Sequence, residues 1–215
     1  MCAGWLTTTS RYGKFVFRKE GETMDNRNTA ERKNRRRTLD LTYIAIGAAL
    51  ISVCSWISIP SAVPFTLQTF AVFSVLLLLG GKRGTLSVVI YILLGAIGLP
   101  VFSNFTGGAG VLLGNTGGSI LGFIFMGLIF LLFEKISSAD LFAKKAVLAI
   151  VSLLLGLIVC YSFGTAWFMY VYMKNTGTVG LSAVLSWCVF PFIVQDLLKL
   201  LLALLLSKRV RPILK

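Results

Sequence analysis

Long apolar runs separated by short polar or glycine-rich breaks dominate the chain from residue 39 onward. The runs cover residues 39–59, 65–79, 85–99, 119–133, 146–173 and 181–206. A helix needs about 20 predominantly apolar residues to cross a bilayer, and Pro, Gly and charged residues mark the ends of most runs. The pattern predicts an all-α integral membrane protein with six transmembrane helices.

Three of the runs, the second, third and fourth, are shorter than a full crossing, so apolar flanking residues must extend them or fold into the protein. Irregular backbone at membrane depth is tolerated only where it is buried or lines a cavity, which draws attention to the glycine-rich stretch 100–118. The segment IPSAVP, with Pro60 and Pro64, predicts a turn, and KNTGTVG predicts another. Pro191 is expected to split the last run into a short segment and a final helix, since Pro in a first turn loses no hydrogen bond.

The distribution of charge gives the chain an orientation. Of its 215 residues 56% are hydrophobic and 13% are charged, yet the net charge is +13, whereas soluble domains carry about a quarter charged residues. Lys and Arg number ten in the N-terminal tail, two in GKRG, three between the fourth and fifth runs, and four at the C-terminus, nineteen of the total of 21. Six crossings place these four regions on one side, so the positive-inside rule predicts that both termini are cytoplasmic.

The chain is therefore divided into a basic cytoplasmic tail (1–37), a six-helix membrane domain (38–209) and a short cytoplasmic tail (210–215). The first 38 residues are expected to be irregular, and no signal-peptide run precedes the membrane domain. Met24, upstream of the basic cluster 32–37, is an alternative translation start. A basic flank beside a membrane span is far more often a topology signal than a nucleic-acid site.

Few residues are available for chemistry. The chain has no His, the commonest general base and zinc ligand, and its four Cys lack a C-x-x-C spacing. Asp196 and Lys199 stand three apart among leucines and so share a helix face. Each charge costs roughly 2.5–3.5 kcal/mol within the bilayer, so the two must face protein or water. They are either a structural ion pair or a polar anchor for a solute, and the second interpretation is favoured.

Two further features have competing interpretations. The stretch FTGGAGVLLGNTGG, from Phe105 to Gly118, permits close backbone approach to a ligand, but it also fits a structural turn; without G-K-[ST] it is no phosphate loop. Ala45 and Ala49 form a small-xxx-small pair suited either to packing inside the bundle or to docking another membrane protein. Most outer aromatics fit an interface belt, although Trp167 could line a cavity.

Four segments in this order resemble the BioY family, the biotin-binding S components of energy-coupling factor (ECF) transporters. They are VPFTLQTFAV (63–72), GLPVFSNFTGGAGVLLGNTGG (98–118), GTAWF (164–168) and PFIVQDLLKLLLA (191–203). The resemblance covers about residues 38–209. It implies a six-helix S-component bundle in the cell membrane that captures biotin on the outer side, together with a transmembrane coupling protein and two cytoplasmic ATPases.

The same resemblance implies roles for individual residues. Asp196 and Lys199 match the family's acid and lysine of the sixth helix, and Ala45 and Ala49 match the first-helix motif that docks the coupling protein. The expected substrate-binding residues are Asp196, Lys199, Phe105, Thr106, Gly107, Gly108, Asn115 and Trp167. This chain departs from the family pattern at Val194, Gln195 and Asn115. It also has Ile120 at a position where some members of the family have an arginine.

The expected function is therefore that of a biotin-binding uptake subunit rather than an enzyme, with no cofactor or metal, and with membrane lipid rather than nucleic acid around it. An S component for another vitamin is the main alternative. An intramembrane enzyme is less favoured, because the chain has no His and Asp196 is the only acid deep in an apolar run. A membrane scaffold that binds no solute is a third alternative.

Overall fold

The computed structural model describes residues 6–59, 65–136, 142–175, 177 and 180–210, with side chains from residue 31 onward except 142–145. The chain divides into two compact units, Met1–Thr42 and Tyr43–Lys215. Its helices are α1 (Leu6–Trp56), α2 (Gln68–Ala96), α3 (Ala109–Leu113), α4 (Gly117–Ile136), α5 (Phe142–Asn175), α6 (Leu181–Cys188) and α7 (Phe190–Val210), and its strands are β1 (Ser58–Ile59) and β2 (Phe65–Thr66).

The first unit is helical from Leu6, so the expectation of an irregular tail is wrong for residues 6–38. The Thr38 hydroxyl donates to the Asn34 carbonyl one turn earlier, as in a regular helix. The tail contains no proline, and Arg, Lys and Glu are good helix formers. Polar composition alone was therefore a poor guide to irregular backbone.

Helix α2 is a hairpin of two antiparallel segments, residues 68–79 and 81–96. Gly80 breaks it with φ 82°, in the left-handed region that favours glycine. A Cβ added to Gly84 would lie 3.0 Å from Leu76 Cα, although eight residues of continuous helix rise about 12 Å. The chain thus turns back at Gly80, and the second and third predicted runs are separate membrane segments.

The described part of the second unit accordingly contains six long apolar helical segments, with α6 and α7 counted as one, as the sequence predicts. Within the described residues, five helical stretches are long and apolar enough to span a membrane. One of these is the α2 hairpin, broken at Gly80, and another comprises α6 and α7, which Val189 separates. The chain is a multi-pass membrane protein. That both termini lie on the cytoplasmic side stays a prediction.

Glycines set close contacts between the helices of the bundle. On α4, Gly122 lies so near α5 that an added Cβ would be 2.7 Å from Cys160 Sγ, and Gly156 of α5 is similarly close to Met126 of α4. A Cβ added to Gly47 of α1 would likewise lie 2.5 Å from the Ser87 hydroxyl oxygen of α2. Small residues at such crossings let membrane helices approach closely.

One end of the bundle, here called the strand end, carries β1, β2 and the connection 97–108. Ser58 pairs with Thr66 and Ile59 with Phe65 in an antiparallel ladder, which sequence analysis did not predict. The turn predicted at Pro60 and Pro64 lies outside the described residues, as do parts of the KNTGTVG turn and of the C-terminal tail. The opposite end, which carries Gly80, is called the turn end.

The last run is interrupted where expected. Helix α6 ends at Cys188, Val189 has non-helical angles (φ −124°, ψ −61°), and α7 begins at Phe190. Pro191 occupies the first turn of α7, the position at which a missing amide hydrogen costs nothing. The break places Asp196 and Lys199 on α7, in its second and third turns.

Candidate binding site

A buried ion pair lies at the centre of the site. Lys199 Nζ donates to Asp196 Oδ1 at 2.8 Å, one helical turn apart on α7. Asp196 is 2% exposed and Lys199 is 8% exposed. Buried charges are retained when they are paired and hydrogen-bonded, and removing one member of such a pair typically costs about 3–5 kcal/mol.

Tyr161 of α5 completes the arrangement. Its hydroxyl donates to Asp196 Oδ2 at 2.6 Å, so each carboxylate oxygen accepts one hydrogen bond from a different residue. A carboxylate oxygen has a second lone pair, and an ammonium group has three donors. The pair therefore keeps the capacity to accept from, and donate to, a polar ligand.

These three residues form part of the wall of a cavity of about 80 Å³. The cavity wall contains polar side chains from the start of α2 and from α5 and α7, together with apolar side chains. Its wall comprises Thr66, Gln68, Thr69, Ser103, Thr116, Ser119, Ile120, Phe123, Leu157, Cys160, Tyr161, Cys188, Phe192, Asp196 and Lys199. Polar groups that converge beside apolar side chains are typical of small-molecule sites.

The start of the α2 hairpin supplies a further polar group to the cavity wall. Gln68 is buried, and its Nε2 donates to the Tyr91 hydroxyl at 3.0 Å. Tyr91 in turn packs edge-on against Phe102, with ring centroids 5.5 Å apart. This contact joins the two α2 segments at the strand end and fixes the Gln68 amide in the wall of the cavity.

The connection 97–108 covers the strand end of the cavity and is tied to the end of α1. Trp56 Nε1 donates to the Pro100 carbonyl at 2.8 Å, and the Ser58 hydroxyl donates to Asn104 Oδ1 at 2.9 Å. Within this connection, Phe102 is fully buried. Only Ser103 of this connection reaches the cavity wall.

The glycine-rich residues expected to bind substrate lie in this connection but not in the cavity wall. Phe105 is 63% exposed and stacks on Trp56 with ring centroids 5.0 Å apart. The Thr106 hydroxyl donates to the Ser103 carbonyl. Gly107 packs tightly against the Leu99 carbonyl, and Gly108 N donates to the Gly95 carbonyl at 2.7 Å. In this state they shape the cover, and substrate contact by them stays a prediction.

Asn115 and Trp167 also lie away from the cavity wall. Asn115 is exposed in the turn before α4. Trp167 is half-buried, packs closely on Gly118, and donates from Nε1 to the Gly114 carbonyl at 3.0 Å. Trp167 thus fastens the α3–α4 turn to α5, and a direct ligand contact for either residue stays a prediction.

Ala45 and Ala49 are exposed on α1, whereas the intervening Gly47 and Ala48 are buried. The pair therefore lies on the side of α1 that faces away from the α2 contact at Ser87. This placement argues against the alternative in which the two alanines pack inside the bundle.

The sequence analysis did not identify several residues of the cavity wall. Two of these, Gln68 and Tyr161, have sequence features that could have identified them. Gln68 is the only amide in the apolar run 65–79, and polar groups within membrane segments are expensive and commonly functional. Tyr161 follows Leu157 by one helical turn on the inward face of α5. The contributions of Thr66 and Ser103 depend on loop geometry that no periodicity reveals.

The sequence and the fold were compared with those of known proteins. A model of the BioY family matches residues 25–215. The biotin transporter BioY of Thermotoga maritima is 42% identical over 175 residues, which are 80% of this chain and 96% of that protein. The probable biotin transporter BioY of Pyrococcus horikoshii is 35% identical and is covered to the same extent.

The fold also matches a solved structure. The crystal structure of the S-component for biotin from an ECF-type ABC transporter superposes with a TM-score of 0.67 at 30% sequence identity. The match covers 83% of this chain and 94% of that one. The likeness therefore extends over most of both chains.

Proposed function

This chain belongs to the BioY family, and from that premise we propose that it is the biotin-binding membrane subunit of a vitamin uptake transporter, not an enzyme. The observation that carries the proposal is the buried Asp196–Lys199 pair in the wall of a small cavity. A purely structural pair needs no cavity beside it. The relatives and the matching S-component are named for biotin.

The chemistry of the site suits the ureido ring of biotin. That ring offers two N–H donors and one carbonyl acceptor, while the valeryl chain ends in a carboxylate. Asp196 accepts and Lys199 donates, so the pair complements the ring with charge-assisted hydrogen bonds. We infer that the carboxylate end of biotin points away from Asp196, because two negative charges would repel each other.

We infer from its small volume that the cavity must widen before it admits biotin. Small-molecule sites usually enclose about 300–1,000 Å³, well above the 80 Å³ found here. Thr66 and Ser103 are the wall residues contributed by β2 and by the connection 97–108; most of the others lie on helices. We infer that biotin enters when the cover at the strand end moves, and that this end faces outward, as the positive-inside rule predicts.

Transport requires partners, because the sequence carries no nucleotide-binding motif. We propose that a transmembrane coupling protein docks on α1 at Ala45 and Ala49 and links the chain to two cytoplasmic ATPases in the plasma membrane. Small exposed residues one turn apart allow a second helix to approach closely. The exposure of both alanines supports this assignment.

A thermal-shift panel tests the proposed function. Purified protein is heated with biotin, thiamine or riboflavin, each at about 100 times the expected dissociation constant. A ligand that binds only the folded state stabilises it by about 2.7 kcal/mol at that ratio, which raises the melting temperature by about 5–10 °C for a chain of this size. A shift with biotin alone is expected. A shift with another vitamin alone would reassign the substrate, and no shift at all would favour a scaffold.

A further inference from the structure

A series of side-chain hydrogen bonds leads from α1 through the α2 hairpin to the wall of the polar cavity. The Ser55 hydroxyl of α1 donates to backbone carbonyls, including that of Val101 in the connection 97–108. The Tyr91 hydroxyl is hydrogen-bonded to Ser55 and accepts from Gln68 Nε2 at 3.0 Å. Ser55, Tyr91 and Gln68 are all buried, so each polar group in the series depends on its protein partner.

These hydrogen bonds all run in one direction, and that direction orients the Gln68 amide. A carbonyl can only accept, so Ser55 gives its one hydroxyl proton to a carbonyl and accepts the proton of Tyr91. Tyr91 has then used its own proton and must accept from Gln68, which places Nε2 on Tyr91. The other end of the amide, Oε1, is therefore turned away from Tyr91.

Gln68 Oε1 is available to a ligand. It accepts no hydrogen bond from any residue that the structure describes. It is also not sealed off, because the fully enclosed polar atoms without a partner among the described side chains are the Ser74 and Thr165 hydroxyl oxygens. Since Gln68 forms part of the cavity wall, a donor in the cavity can supply the hydrogen bond that this oxygen lacks.

Biotin brings one donor that the ion pair leaves without a partner; this step rests on the proposed function. The two N–H groups of the ureido ring lie on either side of its carbonyl and point in different directions, so the Asp196 carboxylate can accept from only one of them. A second N–H left unpaired in the cavity would weaken binding. The hydroxyls of the wall both donate and accept, whereas the Gln68 oxygen only accepts.

We propose that Gln68 Oε1 is the acceptor for the second ureido N–H, and that Tyr91 is a positioning residue that keeps this oxygen presented to the cavity. Asp196 then recognises one N–H and Gln68 the other, so the site distinguishes a urea from a ring that lacks either group. Sites that hydrogen-bond a ligand N–H discriminate strongly against analogues without it. Gln68 is thus a specificity-determining residue.

The test uses biotin and its two cyclic carbamate analogues, in each of which one ring N–H is replaced by oxygen. Their affinities for the detergent-purified full chain are measured by competition with labelled biotin. The wild type is expected to bind each carbamate at least about tenfold more weakly than biotin. Gln68→Met should bind one of the two carbamates within about threefold of biotin and still discriminate against the other. Gln195→Met, the same change at the chain's only other glutamine and outside the cavity wall, should discriminate against both.

Tyr91→Phe provides the second measurement, and it leaves Gln68 in place. Without the hydroxyl the amide is free to turn over, so discrimination against the same carbamate is expected to fall at least about threefold. A purely structural role for Tyr91 would lower the melting temperature and leave that ratio unchanged. Undiminished discrimination against both carbamates in Gln68→Met and Tyr91→Phe, or equal binding of all three ligands by the wild type, would overturn the inference. Failure of the wild type to bind biotin at all would instead refute the proposed function, and this inference with it.

Discussion

The Tyr161 hydroxyl donates a 2.6 Å hydrogen bond to Asp196 Oδ2, joining α5 to α7 at the point where Lys199 holds the other carboxylate oxygen. The carboxylate is therefore oriented by two donors from two directions. Such prior orientation lowers the entropic cost of binding a ligand. It also means that the site depends on a residue which does not itself carry charge.

Tyr161→Phe tests that dependence. The variant loses only the hydroxyl, so we expect a folded protein whose biotin affinity is reduced by about 10- to 100-fold, the range for a hydrogen bond to a charged group. Isothermal titration calorimetry measures the change. Tyr170→Phe, exposed on the same helix, is the matched control. An affinity within twofold of the wild type would show that Tyr161 does not position Asp196.

The cover of the cavity is tested at Gly107. A Cβ there would collide with the Leu99 carbonyl, so Gly107→Ala must displace the connection that carries Ser103. We expect weaker biotin binding and a melting temperature lower by several degrees. Gly110→Ala is the control, because nothing lies within 4 Å of its added Cβ and Ala favours a helix over Gly. Equal behaviour of the two variants would mean that the cover tolerates displacement.

The turn end of the α2 hairpin gives a prediction about stability alone. Glu134 Oε2 accepts a hydrogen bond from Gly81 N at 2.6 Å, directly after the break at Gly80. Glu134→Ala is expected to lower the free energy of unfolding by about 1–2 kcal/mol, or a few degrees in melting temperature, while biotin affinity stays unchanged. Lys135→Ala is the neighbouring control. A loss of biotin affinity in Glu134→Ala would instead couple the turn end to the site.

Docking of the coupling protein is tested on α1. Ala45→Trp and Ala49→Trp place bulk on an exposed helix face, so we expect co-purification with the coupling protein to be lost while biotin binding by the isolated chain persists. Leu128→Trp, exposed on α4, is the control for added bulk. Retained assembly in both alanine variants would move the docking surface elsewhere.

Sequence periodicity was sufficient for the membrane segments because their free energy is dominated by apolar burial, which the sequence displays directly. It separated the two halves of α2 at GGKRG, and it placed the break before α7 at Pro191. It identified Asp196 and Lys199 because a charge within an apolar run is costly wherever it faces. It did not detect the helical N-terminal tail, since polar residues are compatible with either conformation.

The remainder of the site arises from tertiary contacts that no local pattern encodes. The strand pair β1–β2 has two residues per strand, too few for alternation to be visible. Ser103 lies in the connection 97–108, which Trp56 and Ser58 tie to the end of α1 and to β1, and Thr66 pairs with Ser58. The resemblance to the family pointed to Thr106–Gly108, which lie in that connection, and their contact with substrate stays a prediction.

The most direct test of the account is biotin binding by purified wild type, Asp196→Asn, Lys199→Met and the double variant, measured by calorimetry. We predict one biotin per wild-type chain at micromolar affinity or tighter. Truncating one member of a buried charge pair costs about 2–5 kcal/mol, so each single variant should bind at least about 30-fold more weakly. The double variant leaves no unpaired buried charge and should fold without binding, whereas Leu198→Met, exposed on the same helix, should bind normally. Biotin binding that survives in the double variant would contradict the account and leave the ion pair with a structural role only.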